Sequence, residues 1–164
     1  MIGKTTIMTG LTANQPILSG KEKYKVIGNY LSLDKVERIM GLLKGKYQHW
    51  DCLPKAEIVA KELGGNVVIG STYVINKEGT GSYGYEYRPP YEFHAWVVIQ
   101  KPGVVIDFAL PGVIEKGLTV KDEICYILED IEPVILAGIP PKWLRYYPRE
   151  LRDKYGTIVI STLK

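Results

Sequence analysis

From Ser32 onward the apolar positions fall at helical spacing. Leu33, Val36, Ile39, Met40 and Leu43 lie three or four apart with polar residues between them, which is the stripe of a helix with one buried face. Ser32 or Asp34 is suited to cap its start and Gly45 to end it. A second helix is predicted from Asp51 or Cys52 through Pro54, Ala56, Ile58, Val59, Ala60 and Leu63 to Gly64-Gly65. Pro54 falls in its first turn, where the N–H that proline lacks would have no intrahelical partner. After the glycines the period shortens to that of strands. Val67 to Ile75, Phe93 to Gln100 and Val104 to Phe108 are short, β-branched or aromatic, and bounded by Gly, Pro or charged turns. Lys101-Pro102-Gly103 is a turn signal, so residues 93–100 and 104–109 are predicted to form an antiparallel hairpin.

Elsewhere the pattern is less regular. Residues 1–30 read as short strands or an irregular lead-in around Tyr24-Lys25-Val26-Ile27. Val120 to Leu128 fits helix or strand, and Pro133 to Ala137 reads as a strand. Lys142 to Tyr155 has helical spacing interrupted by Pro148, and Thr157 to Leu163 reads as a closing strand. No repeat, low-complexity tract or compositional break marks a linker, so residues 1–164 are read as one domain. Helix, helix, then several strands points to an α+β fold with N-terminal helices packed on an antiparallel sheet.

Composition narrows the function classes. The chain is 46% hydrophobic with a net charge of +3, and its Lys and Arg are interleaved with Asp and Glu, so no basic block points to nucleic acid. Two cysteines, Cys52 and Cys125, stand in unlike surroundings, which argues against a disulfide framework and fits a reducing compartment. Met1 to Leu18 carries no sustained apolar run, and no stretch approaches the ~20 apolar residues that span a bilayer. A cytoplasmic protein with no membrane partner is expected.

The candidate chemistry centres on Cys52, His94 and Asp107. A thiol attacks as the thiolate, which a helix N-terminus or a neighbouring imidazolium favours. Cys52 stands at the predicted helix start, and His94 and Asp107 lie on the two arms of the predicted hairpin. With the turn centred on 101–103, the position opposite His94 falls near 109 or 110. A stagger or bulge of one or two residues then brings Asp107 within diagonal reach. His94, Trp96 and Val98 share one strand face, and Phe93, Ala95, Val97 and Ile99 the other. The pattern leaves open which face meets the core. An oxyanion would be met by the Cys52 backbone N–H and by a side chain, for which Gln48 is preferred over Trp50.

These residues resemble a known family. Asp51-Cys52-Leu53-Pro54-Lys55-Ala56-Glu57-Ile58-Val59-Ala60-Lys61-Glu62-Leu63-Gly64, then Phe93-His94-Ala95-Trp96-Val97-Val98, then Val104-Val105-Ile106-Asp107 look like the transglutaminase-like branch of the papain-like cysteine protease superfamily. In that branch a helix-capping Cys precedes a strand beginning His-Ala-Trp-Val and a strand ending in Asp. The resemblance covers Gln48 to Pro111. It implies a papain-like or transglutaminase-like core and thiol attack on an amide or acyl carbonyl. Cys52 would be the nucleophile, His94 the general base and acid, and Asp107 the orienting group. Hydrolysis, deamidation and acyl transfer are all compatible, with a peptide, protein or small amide as substrate and no cofactor.

The Gly-, Tyr- and Pro-rich segment Gly79 to Tyr91 reads equally as a connection between strands or as a substrate lid. Tyr83, Tyr85 and Tyr87 within it, and Trp96 beyond it, are the candidate substrate contacts. Two other readings compete with the enzyme. One is a papain-like binding module for a peptide or glycan, without turnover. The other is a zinc site in which His49, Cys52 and His94 join Asp107. Cys125, between Ile124 and Tyr126, reads as core packing. Lys142 to Arg149, which interleaves basic and aromatic residues, reads as a half-buried helix with a solvated basic face.

Overall fold

The computed structural model describes residues 17–18, 24–44, 52–75, 82–110, 134–152 and 158–160. In chain order the elements are β1 (Ile17–Leu18), β2 (Tyr24–Ile27), α1 (Leu33–Leu42), α2 (Cys52–Leu63), β3 (Asn66–Ile75), β4 (Ser82–Tyr85), β5 (His94–Val98), β6 (Val105–Asp107), β7 (Val134–Gly138), β8 (Leu144–Arg152) and β9 (Ile158–Ile160). The fold is α+β.

Both helices form where their stripes predict. Ser32 caps α1, its hydroxyl accepting the Lys35 N–H at 3.1 Å, and Val36, Ile39 and Met40 form the buried face. Gly45, the expected stop, lies outside the described residues. Helix α2 ends on Gly64, whose φ of 77° is the left-handed conformation that glycine adopts without strain. The Gly64 and Gly65 N–H groups both return to the Ala60 carbonyl, at 2.8 and 2.9 Å.

Among the described residues the strands form one sheet in the order β1-β2-β7-β6-β5-β3-β8-β9, with β4 also paired to β3. The predicted antiparallel sheet is in fact mixed, because β2 and β7 run parallel. That pairing joins segments more than a hundred residues apart, and nothing in the local pattern of either strand encodes it. The predicted hairpin is present as β5 and β6, with Val97 opposite Ile106 and Val98 opposite Val105.

The helical reading of Lys142 to Tyr155 is overturned, for residues 144–152 form β8, the longest partner of β3. Side chains along it alternate in burial with a period of two. Pro148 does not interrupt a helix; it occupies a bulge. Gly70 pairs with Pro148 and Ile69 with Glu150, which leaves Arg149 as the extra residue. A bulge tolerates a residue that has no N–H to donate. It also presses the β8 backbone onto β3. A Cβ at Gly70 would stand 2.1 Å from the Tyr147 carbonyl oxygen, so the close approach requires glycine.

The segment before His94 is partly strand as well. Its residues 82–85 form β4, and Arg88 bridges back to Glu92. Val120 to Leu128, including Cys125, lies outside the described residues.

Two apolar clusters pack on opposite sheet faces. The first joins α1 and α2 to Val67, Ile69, Ala95, Val97, Ile106 and Ala137. The second gathers Val68, Trp96, Val105, Leu136 and Leu144, with Tyr85 and Tyr146 against them. The strand parity left open by the sequence is thereby settled: Ala95 and Val97 face the helices, and His94 and Trp96 face the other way.

Candidate functional site

The hairpin register places the candidate residues. Continued from Val97–Ile106, it sets Trp96 opposite Asp107 and His94 opposite Ala109. His94 and Asp107 are therefore diagonal neighbours on one face, and no bulge is needed. The His94 Nε2 lies 2.8 Å from Asp107 Oδ2, with His94 only 2% and Asp107 1% exposed.

Three donors converge on the Asp107 carboxylate. Besides His94, the Tyr146 hydroxyl donates to Oδ2 at 2.7 Å and the Ala109 N–H donates to Oδ1 at 2.8 Å. The Ala109 contact is the local turn that Asp side chains form two residues along the chain. A buried carboxylate needs this company, since without partners its desolvation would be prohibitive.

Cys52 is the first residue of α2 and is itself buried. Its sulfur lies 4.0 Å from the Phe93 carbonyl oxygen, so the helix start abuts the first turn of chain into β5. Phe93 directly precedes His94, so the thiol lies beside the start of the strand that carries the imidazole. With Nε2 engaged by Asp107, Nδ1 is the ring nitrogen available to a second partner. Burial alone would lower the His94 pKa. The charge and hydrogen bond of Asp107, then the hydrogen bond and charge of Cys52, outweigh it and raise the pKa to about 10. An imidazolium flanked by two acidic groups is thus the favoured form at neutral pH.

The ring is also held by aromatics. Tyr85 stacks on His94 at 5.9 Å between centroids and 12° between planes, and Trp96 lies at 6.1 Å and 24°. Trp96, expected among the substrate contacts, is instead 1% exposed and sits beneath the imidazole with Tyr146 edge-on to it at 4.8 Å. Tyr87 belongs to the opposite sheet face, packed against the cluster that holds Cys52. Its hydroxyl donates to Glu150 and its ring lies under the Arg149 guanidinium at 4.8 Å. The backbone of Tyr83 pairs with Val74, and its side chain lies outside the described residues.

Gln48, His49 and Trp50 also lie outside them, so of the expected oxyanion donors only the Cys52 backbone at the start of α2 is placed. Among the described residues no group of three His, Cys, Asp or Glu side chains is arranged to hold a metal ion, and no helix is long and apolar enough to cross a membrane.

Tyr146 is the site residue that sequence reasoning missed. It lies in the segment read as helix, where its contact with Asp107 has no counterpart. The signal that would have found it is the two-residue alternation of Leu144 and Tyr146 against Arg145 and Tyr147. Comparison with protein-family models, with curated proteins and with solved structures found no match.

Proposed function

We propose that this chain is a cysteine-dependent hydrolase or acyltransferase on a papain-like or transglutaminase-like core, acting on a peptide, protein or small amide through Cys52, His94 and Asp107. The observation that carries the reading is the shared imidazole. Nε2 of His94 is bound to a buried carboxylate at 2.8 Å, and the Cys52 thiol, at a helix start, lies 4.0 Å from the carbonyl oxygen of Phe93, the residue before His94. This is the arrangement that activates a sulfur nucleophile.

In the proposed reaction the Cys52 thiolate bonds to the carbonyl carbon, and the displaced electron pair goes to the carbonyl oxygen. The Cys52 backbone N–H at the start of α2 is a candidate donor to that oxyanion. As the tetrahedral centre collapses, the C–N bond breaks and His94 gives its Nδ1 proton to the leaving amine. Water or a second amine then attacks the thioester, returns a proton to His94 and releases Cys52. Asp107 holds Nε2 throughout, so that Nδ1 is the nitrogen that exchanges protons.

Iodoacetamide labelling followed by peptide mass spectrometry tests this. Cys52 is expected to be alkylated faster than Cys125 at pH 7, with His94→Ala slowing the reaction at Cys52 by roughly tenfold or more. Equally sluggish labelling of both thiols in the folded protein, unchanged by His94→Ala, would refute the reading.

A further inference from the structure

A carboxylate oxygen has two lone-pair sites, and both on Asp107 Oδ2 are taken. His94 Nε2 approaches at 2.8 Å and the Tyr146 hydroxyl at 2.7 Å, while Oδ1 is held by the Ala109 N–H. The two donors on Oδ2 come from different strands, β5 and β8, and reach the oxygen because β3 lies between them. Gly70 of β3 pairs with His94, and Thr72 pairs with Tyr146. Tyr146 is fixed independently of its hydroxyl, because its ring packs edge-on against the buried Trp96.

We propose that Tyr146 is a positioning residue for His94: by donating to the same Asp107 oxygen that holds the imidazole, it fixes the aim of the carboxylate and tempers its grip on the ring proton. The catalytic meaning of this role rests on the thiol–imidazole reading above.

The physical basis is competition for one charge. A hydrogen bond to a carboxylate stabilises its anion and lowers the potential it exerts on a neighbouring cation. An imidazolium gripped only by Asp107 and Cys52 would be a poor acid for a leaving amine, because it would hold its proton too well. Sharing Oδ2 with a phenol weakens that hold. Tyr146 is suited to the task because burial, and then the charge of Asp107, raise its own pKa well above 10. It therefore remains a donor wherever His94 titrates. The titratable groups facing His94 are Cys52 from α2, Asp107 from β6, Tyr146 from β8 and Tyr85 from β4. β3 presents Gly70 there, with no charge.

The test reads the protonation midpoint of His94 directly, by ring NMR signals assigned with a His94→Gln control. The titration is run in a Cys52→Ala background, which removes the thiol that also raises the His94 pKa and brings the midpoint into a range the fold tolerates. Tyr146→Phe keeps the ring and deletes the donor. The midpoint is expected to rise, with proton affinity increased by roughly threefold to tenfold. An unchanged midpoint would overturn the proposal and leave Tyr146 a packing residue, since a purely structural role lowers melting temperature without moving this titration. A fall would overturn it as well.

Should Tyr146→Phe not fold, uniform replacement of tyrosine by 3-fluorotyrosine carries the test in the opposite sense. The more acidic phenol donates more strongly, and the midpoint must fall. The iodoacetamide result separates the two claims. Slow labelling of Cys52 with a raised midpoint in Tyr146→Phe rejects the thiol chemistry and keeps the coupling. Fast labelling with an unmoved midpoint does the reverse.

Discussion

Asp107→Asn is the substitution whose consequences are most fully fixed by the structure. Asparagine has one acceptor oxygen where aspartate has two. If that oxygen faces His94 and Tyr146, the amide NH2 confronts the Ala109 N–H; if it faces Ala109, the amide confronts the two side-chain donors. Either way a buried donor loses its partner. The larger effect falls on His94. Its pKa of about 10 against an ordinary 6.5, at about 1.4 kcal/mol per tenfold change in affinity, sets a ceiling of about 5 kcal/mol of coupling to the folded state. Removing one member of a buried ion pair costs about 3–5 kcal/mol, which agrees. Because the folded pKa is raised, this stability is fully present below about pH 6.5 and is lost as pH rises through about 10. Wild-type protein should thus lose several kcal/mol between pH 6.5 and 10 in urea titrations. In Asp107→Asn burial governs the ring and keeps it neutral, so the decline over that window should vanish. Stability should instead fall below pH 6.5, where only the unfolded chain binds the proton. Subtracting the two profiles cancels the other titrating groups, including tyrosines whose effect begins near pH 10. Equal slopes for the two proteins between pH 7 and 9.5 would refute the account of His94.

Two further substitutions probe the frame that holds the site. Gly70→Ala places a Cβ against the Tyr147 carbonyl at 2.1 Å, a backbone contact that cannot yield locally, and should destabilise by about 3 kcal/mol; an unchanged urea midpoint would show that the bulge relaxes. Thr72 is fully buried between Tyr85 and Tyr146, and its hydroxyl has no partner among the described residues. Thr72→Val removes that unpaired group at nearly the same volume and should stabilise by about 1 kcal/mol in thermal unfolding, whereas a loss of similar size would mean that the hydroxyl is satisfied in solution.

What could be read from the sequence was what local periodicity encodes. The stripe from Leu33 to Leu43 and the run after Cys52 specify their helices, and the turn at 101–103 is enough to set His94 and Asp107 on adjacent strands. The face on which they meet depends on which strand face the helices cover, a fact held in Val67, Ile69 and Ala95 together and in none of them alone. β8 was illegible for a different reason. Its outward residues Arg145, Tyr147 and Arg149 are exposed, its inward residues include a tyrosine and a proline, and proline within a run argues against an ordinary strand unless its bulge is known. Such a segment scores as an amphipathic helix until its partner β3 is known. Trp96 has the parity that puts it beside His94, and its burial against that ring and Tyr146 is a tertiary fact that the alternation alone does not carry.

The burial of the cluster bears on why it is there. Carboxylate and imidazolium at 1% and 2% exposure carry a desolvation cost that their mutual attraction at best roughly repays, and apolar residues of similar volume would commonly hold a core as well or better. Stability therefore does not explain a buried charge pair in a sheet whose neighbours, Ile106, Ala95 and Val97, already pack without polar atoms. Nor does satisfying Asp107 explain the rest, because Ala109 and Tyr146 together supply two donors without requiring a histidine. What the histidine adds is a second ring nitrogen, in a residue whose neighbour Phe93 meets the one described thiol, at the first residue of a helix. A proton-carrying group buried against a carboxylate and close in the chain to a residue that meets a thiol is costly as architecture and useful as chemistry, and that imbalance supports the proposed thiol reaction more than the resemblance of any single motif.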